Sequence, residues 1–309
     1  GKAKEWDFAE DELPVAQLRT LDLSVDLAAA EVRSDAGRAQ NLVLALNGKG
    51  GIYDGRTSFA VAEGGDAQGR FVFDAAGDTA KVDLDFAATG LLLNLVSGEV
   101  EDPSEIPAVG FSAKVRSTGN SPRALASVAN GRVTFTQGPG RIDNAALGLV
   151  SGDIFAQVFS ALNPFAKDDT HSNWDCTVVA VDVTDGVGEI VPMLSQGERL
   201  LITGHGKLDL KTEKIDVEFN TKPRSGVGVT ADMFVTPFVK LGGTLADPGV
   251  SMNAKGTLLA GGAAALTGGL SVLVQGIADR ATAEADQCAD ALAKLATPAA
   301  PRGINDQAP

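Results

Sequence analysis

Imidazole, thiol and phenol groups are scarce in this chain of 309 residues, which holds two histidines, two cysteines and one tyrosine. With His171 and His205 the only imidazoles, His-based metal centres and nucleophile–His triads lack their raw material. One tyrosine and two tryptophans cannot build the aromatic girdles of an outer-membrane barrel. Positive charge is short too: 26 Lys and Arg stand against 40 Asp and Glu, a formal charge of −14. That balance argues against nucleic acid, whose affinity comes from neutralised phosphates, and against broad docking on an anionic membrane face. An apolar content of 44% rules out a disordered acidic chain, and the length suffices for one large domain or two medium ones.

Chemical motifs are missing as well. There is no Walker A sequence, no dinucleotide fingerprint and no G-x-S-x-G elbow. Gly186-Val187-Gly188 and Gly204-His205-Gly206 read as glycines of strands or turns. The carboxylates Asp22, Asp26, Asp83 and Asp85 alternate with apolar positions and read as a solvated strand face, not as a catalytic pair. His171 falls in a polar stretch and reads as a loop residue, His205 as a structural strand residue. No catalytic residue, metal or cofactor is assigned, and the chain reads as a non-enzyme.

Gly1 to Asp11 is polar and acidic, without a start methionine or a charge-then-apolar pattern, so the chain reads as an excised or mature fragment whose upstream anchor would lie outside it. The one long uncharged run, Gly256 to Ala278, carries six glycines and only modest apolar strength for a membrane span. Thr297 to Pro309 reads as a disordered tail.

What is present is alternation. Leu21, Leu23, Val25 and Leu27 interleave with Asp22, Ser24 and Asp26, and Val82, Leu84 and Phe86 with Lys81, Asp83 and Asp85. Runs at Phe71–Phe73, Val109–Val115, Arg132–Thr136, Leu208–Leu210 and Ile215–Phe219 follow the same rule. Turn signals fall at Asn47-Gly48, Tyr53-Asp54-Gly55, Gly64-Gly65-Asp66, Asp185-Gly186 and Ala246-Asp247-Pro248-Gly249. Roughly 13 to 15 strands, mostly joined by short connections, predict an antiparallel meander wet on one face and apolar on the other. A sandwich and one long curved sheet folded into a trough both satisfy that pattern.

Three helices are predicted. Ser121 caps one near 122–130, with Pro122 at its first position and Gly131 past its end. A second covers about 144–162 with its apolar stripe ending at Leu162, and a third covers about 270–295 with Cys288, Leu292 and Leu295 on its stripe. Ser97 to Pro107 reads as a long loop. Cys176 in a strand and Cys288 on the third helix are either two buried thiols or a disulfide that staples helix to sheet, closing a loop of about 110 residues worth ~4 kcal/mol in the chain-entropy model.

From Asn130 onward an ordered set of short motifs accumulates: Gly131-Arg132-Val133, Ile142-Asp143-Asn144-Ala145-Ala146-Leu147, the strand from Cys176 to Asp185-Gly186-Val187, Ile202-Thr203-Gly204-His205-Gly206-Lys207-Leu208-Asp209-Leu210, Glu213-Lys214-Ile215-Asp216-Val217, Pro223, Pro237 and Leu241-Gly242-Gly243-Thr244-Leu245-Ala246-Asp247-Pro248. In this order they resemble the C-terminal part of the AsmA family. Leu13-Pro14, Gly50 to Arg56 and Gly69 to Asp74 resemble the preceding family region more weakly. The resemblance implies a periplasmic protein of Gram-negative bacteria, held at the inner membrane by an N-terminal helix absent from this sequence. Such proteins are similar to TamB and the bridge-like lipid-transfer proteins. It implies a β-taco-like fold: a trough with an apolar floor that conducts phospholipid toward the outer membrane, with an outer-membrane or envelope protein as a further partner.

The floor expected on this basis comprises Leu21, Leu23, Val25, Leu27, Val82, Leu84, Phe86, Val133, Phe135, Leu208, Leu210, Ile215, Val217 and Phe219. The expected organisation is a first groove segment over 1–116, an AsmA-like segment over 117–255, a Gly/Ala-rich segment with the C-terminal helix over 256–296, and the tail. The competing expectation is a non-conducting scaffold with a closed sandwich core that assists outer-membrane protein assembly.

Overall fold

The computed structural model describes residues 8–34, 37–61, 64–92, 105–143, 171–198, 200–224, 239–252 and 287–296. In chain order they form α1 (Val15–Thr20), β1 (Leu23–Ser34), β2 (Gly37–Lys49), β3 (Ile52–Val61), β4 (Asp66–Asp74), β5 (Lys81–Leu92), β6 (Ala108–Thr118), α2 (Pro122–Ser127), β7 (Asn130–Gln137), β8 (Gly140–Asp143), β9 (His171–Thr184), β10 (Val187–Gly197), β11 (Leu200–Asp209), β12 (Lys214–Pro223), β13 (Val239–Gly243), β14 (Pro248–Met252) and α3 (Cys288–Ala296).

All 14 strands belong to one antiparallel sheet. Thirteen lie side by side in sequence order from β1 to β14, and β8 pairs with the start of β9. The ends of this path do not meet, so the sheet is open. The long-sheet expectation therefore holds, and the described residues contain no second sheet to make a sandwich. At about 4.8 Å per strand the sheet measures roughly 60 Å across its strands.

The hairpin turns use residues with positive φ where the chain must reverse: Gly50 and Gly51 between β2 and β3, Asp185 and Gly186 between β9 and β10. Two expected turns prove to be strand. Asn47-Gly48 lies inside β2 and Tyr53-Asp54-Gly55 inside β3. His171 is the first residue of β9, not a loop residue. Leu210 falls in the turn just past β11, where its N–H donates to the Gly186 carbonyl at 2.8 Å.

The N-terminal segment runs along the turn ends of the strands. The Phe8 N–H donates to Glu213 Oε1 at 2.9 Å in the β11–β12 turn. The Leu13 N–H donates to the Asn120 carbonyl, and the Arg123 N–H to the Ala9 carbonyl. Helix α1, unforeseen in the sequence, then packs Val15 and Leu18 against Phe73, Ala75 and Ala80. The Tyr53 hydroxyl, at 2.7 and 2.9 Å from the Leu18 and Leu21 carbonyls, anchors its C-terminal end. Helix α2 begins as expected, with Ser121 Oγ accepting the Ala124 N–H and Pro122 in the first turn. It stops at Ser127, and Gly131 belongs to β7.

Helix α3 lies on the other side of the sheet. Cys288, Ala291 and Leu295, spaced three and four residues apart, pack on Cys176, Val178, Leu194 and Leu201. The Cys176–Cys288 disulfide, with a Cα–Cα distance of 6.0 Å, fixes the helix there. Leu292, expected on the buried stripe, is 45% exposed, and Ala291 takes that place. The expected helix over 144–162, the first part of the third helix and the tail lie outside the described residues.

Candidate functional site

Residues paired across antiparallel strands share a face, so the register maps both sides of the sheet. One row runs from Val25 through Leu46, Gly55, Phe71, Leu84, Val115, Gly131, Val183, Gly188 and Leu208 to Ile215. It crosses eleven strands without one polar side chain. A parallel row four residues further along each strand, five along β10 where the register shifts, holds Ala88, Phe111, Phe135, Val179, Met193, Gly204, Phe219 and Val239 in consecutive pairing, separated from the first by the row of Phe86, Ala113, Val133 and Val181.

One residue over, on the opposite face, the same strands present Arg56, Arg70, Asp85, Lys114, Arg132, Asp182, Glu189, Lys207 and Asp216 in consecutive pairing. This face is a ladder of ion pairs. Arg70 reaches Asp54 at 2.5 Å, Arg116 reaches Asp83 at 2.8 Å, Lys114 reaches Asp85 at 3.1 Å and Lys240 reaches Asp216 at 2.6 Å. The hydrogen bond from Arg70 holds the Asp54 carboxyl below its ordinary range, and the hydrogen bond to Asp182 raises Arg132. A concavity of about 710 Å³ on this face across β2 to β6 is lined by Arg56, Arg70, Asp83, Asp85 and Arg116. Its arginines are engaged by Asp54 and Asp83. His205 is exposed on the same face, 3.7 Å from Glu218. Among the described residues no cluster of His, Cys, Asp and Glu is placed to hold a metal ion.

The expected floor residues distribute as follows. Leu23, Val25 and Leu27 of β1, Val82, Leu84 and Phe86 of β5, Val133 and Phe135 of β7, Leu208 of β11, and Ile215, Val217 and Phe219 of β12 all lie on the apolar face by register. Leu21 precedes β1 and Leu210 follows β11, so both sit at the turn ends. The same face also contains residues the sequence reading left out, chiefly Leu42, Leu44, Leu46, Phe71, Phe111, Val115, Val179, Val181 and Met193. Continuous apolar runs such as Leu42 to Leu46 and Thr177 to Val181 hid their register, because both faces are apolar there.

Exposure along the face is graded. Val25 and Leu27 are 43% and 48% exposed, whereas Val217 and Phe219 are 6% and 5% exposed. The deep end is a cluster of Ile142, Trp174, Ile202, Val217, Phe219, Val239 and Leu241. At the turn end, α1 sits over Phe73 and Tyr53, and the carbonyl of Leu125 in α2 accepts a hydrogen bond from Ser117. No helix among the described residues is long and apolar enough to cross a membrane. No family model, curated protein or solved structure matches this chain.

Proposed function

We propose that this chain is a lipid-conducting segment of a cell-envelope protein. In this reading the acyl tails of phospholipids lie on the apolar face and pass across the strands from one end of the sheet toward the other. The observation that carries the reading is the unbroken apolar row from Val25 to Ile215 on an open sheet whose first strands leave that row partly exposed. A 16-carbon tail in water costs about 12 kcal/mol at ~0.8 kcal/mol per CH₂. A continuous apolar face covers such a tail at every point of the path without a specific pocket, and the headgroup stays in water at the rim. The ion-pair ladder keeps the opposite face soluble.

The resemblance to the AsmA family supports a periplasmic setting, with an inner-membrane anchor upstream and delivery to the outer membrane. The Cys176–Cys288 disulfide is compatible with that oxidising compartment. The second reading, a scaffold with a sealed core that works through a protein partner, draws on the buried cluster at β12 and β13.

Transfer of a fluorescently tagged phospholipid from vesicles tests the two. The conduit reading expects saturable uptake that unlabelled phospholipid competes away, and loss of uptake in Leu84→Asp with folding retained. A folded wild-type protein that extracts no labelled lipid would refute the conduit and leave the scaffold.

A further inference from the structure

Three glycines of the apolar face carry an unexplained cost. Gly48, Gly55 and Gly69 sit inside β2, β3 and β4, where glycine gives up backbone entropy and side-chain packing. None of the three has a positive φ, so the backbone does not demand glycine there. Each is paired in register with a ring on the next strand: Gly48 with Tyr53, Gly55 with Phe71, Gly69 with Phe86. A Cβ at Gly48 or Gly55 would overlap ring carbons of Tyr53 or Phe71, and one at Gly69 would lie 2.9 Å from Phe86 Cδ2. The rings therefore lie over the glycines. All three lean toward the preceding strand, as overlapping tiles do. Gly55 is buried beneath Phe71, while Phe71 itself remains 37% exposed above it. A ring laid down in this way raises the floor by about its thickness, whereas an upright ring would form a ridge across the path.

The Gly48–Tyr53 pair lies beneath α1, with Tyr53 only 5% exposed. We propose that Gly55 and Gly69 are specificity-determining positions that set the clearance of the groove over β3 to β5. They admit unbranched hydrocarbon chains lying across the strands, and they do so without reading chain length, since the row through Gly55 and Phe71 continues from Val25 to Ile215 without a polar side chain. This inference rests on the lipid-conducting reading. It makes uptake sensitive to floor height and insensitive to the number of methylenes.

The test compares uptake of tagged phospholipids with 14-, 16- and 18-carbon tails by the wild type, Gly55→Val and Gly55→Val/Phe71→Ala, with circular dichroism and urea midpoints recorded for each. The expected result is uptake within about twofold across tail lengths in the wild type, a loss of roughly tenfold in Gly55→Val, and recovery in the double variant, where the displaced ring is gone. If Gly55→Val alone does not fold, Gly55→Ala carries the test, because its Cβ already meets the Phe71 ring: folded Gly55→Ala should take up several-fold less lipid than the wild type, and unchanged uptake overturns the proposal. Folded Gly55→Val with unchanged uptake, a folded double variant that stays inactive, or strong preference for one tail length overturns the proposal alone. A wild type that takes up no lipid overturns the conduit reading and this proposal with it.

Discussion

Phe71→Asp and Phe219→Asp are the same substitution on the same face of the sheet, each opposite a glycine of the neighbouring strand, Gly55 and Gly204. They differ in cover: Phe71 is 37% exposed and Phe219 is 5% exposed. Complete burial of a phenylalanine contributes up to about 3 kcal/mol, so truncation at the partly wet Phe71 should cost ~2 kcal/mol, and the new carboxylate there reaches water. At Phe219 nearly the whole ~3 kcal/mol is lost. The carboxylate also lands among Ile202, Val217, Val239 and Leu241. Two units of upward pKa displacement, a modest value for a buried carboxyl, add ~3 kcal/mol at pH 7. The sum of ~6 kcal/mol rivals the whole stability of many domains. Urea unfolding followed by circular dichroism separates the two: a small drop in midpoint for Phe71→Asp with native structure retained, and a protein largely unfolded in buffer for Phe219→Asp. Equal costs at the two sites would refute the graded exposure, because the face would then be sealed, or open, throughout.

Three further outcomes follow from the same geometry. Cys288→Ser should lower stability by up to about 4.8 kcal/mol, the chain-entropy value for a loop closed across a sequence separation of 112 and somewhat above the ~4 kcal/mol expected from the sequence, and should expose Val178, Leu194 and Leu201 to limited proteolysis and dye binding. Tyr53→Phe removes a hydroxyl in hydrogen-bond contact with two carbonyls and should cost ~1 kcal/mol in urea unfolding, with faster amide exchange confined to α1. Acid should weaken the fold through two carboxyls. The Arg70 hydrogen bond holds Asp54 low, and at Asp209 burial pushes upward but hydrogen bonds from Thr212 and Lys211 outweigh it. Their folded values lie below the unfolded ones, so their contribution is complete above the unfolded carboxyl value of about 4 and is lost as pH falls through the folded values. Urea midpoints at successive pH values should decline over that acid range, and Asp54→Asn should decline less steeply.

Much of the sheet was legible because charge marks one face residue by residue. Lys81 to Phe86 alternates without interruption, and β5 forms there with Val82, Leu84 and Phe86 on one side. Legibility failed where glycine does something other than turn the chain. Gly48 and Gly55 read as turn residues, yet both are strand residues that make room for a ring. It failed again at β9, where Thr177 to Val181 is apolar on both faces because α3 covers Val178 from the far side. Helix α1 escaped notice because six residues are too few for a periodic stripe. It is held by Tyr53 and Phe73, partners far along the chain. The face of the expected floor residues that lie in strands was readable from period two, but Leu21 and Leu210 fall at turn ends, and exposure was not readable because it depends on what lies above the sheet.

The central claim is that the open apolar face is occupied by lipid. The most direct measurement is native mass spectrometry of protein produced in a Gram-negative periplasm and purified without detergent, followed by extraction and identification of any bound species. The account predicts co-purified glycerophospholipid that is released on unfolding and depleted in folded Leu84→Asp. Protein that is lipid-free as isolated, and that stays lipid-free after incubation with phospholipid vesicles, would contradict it.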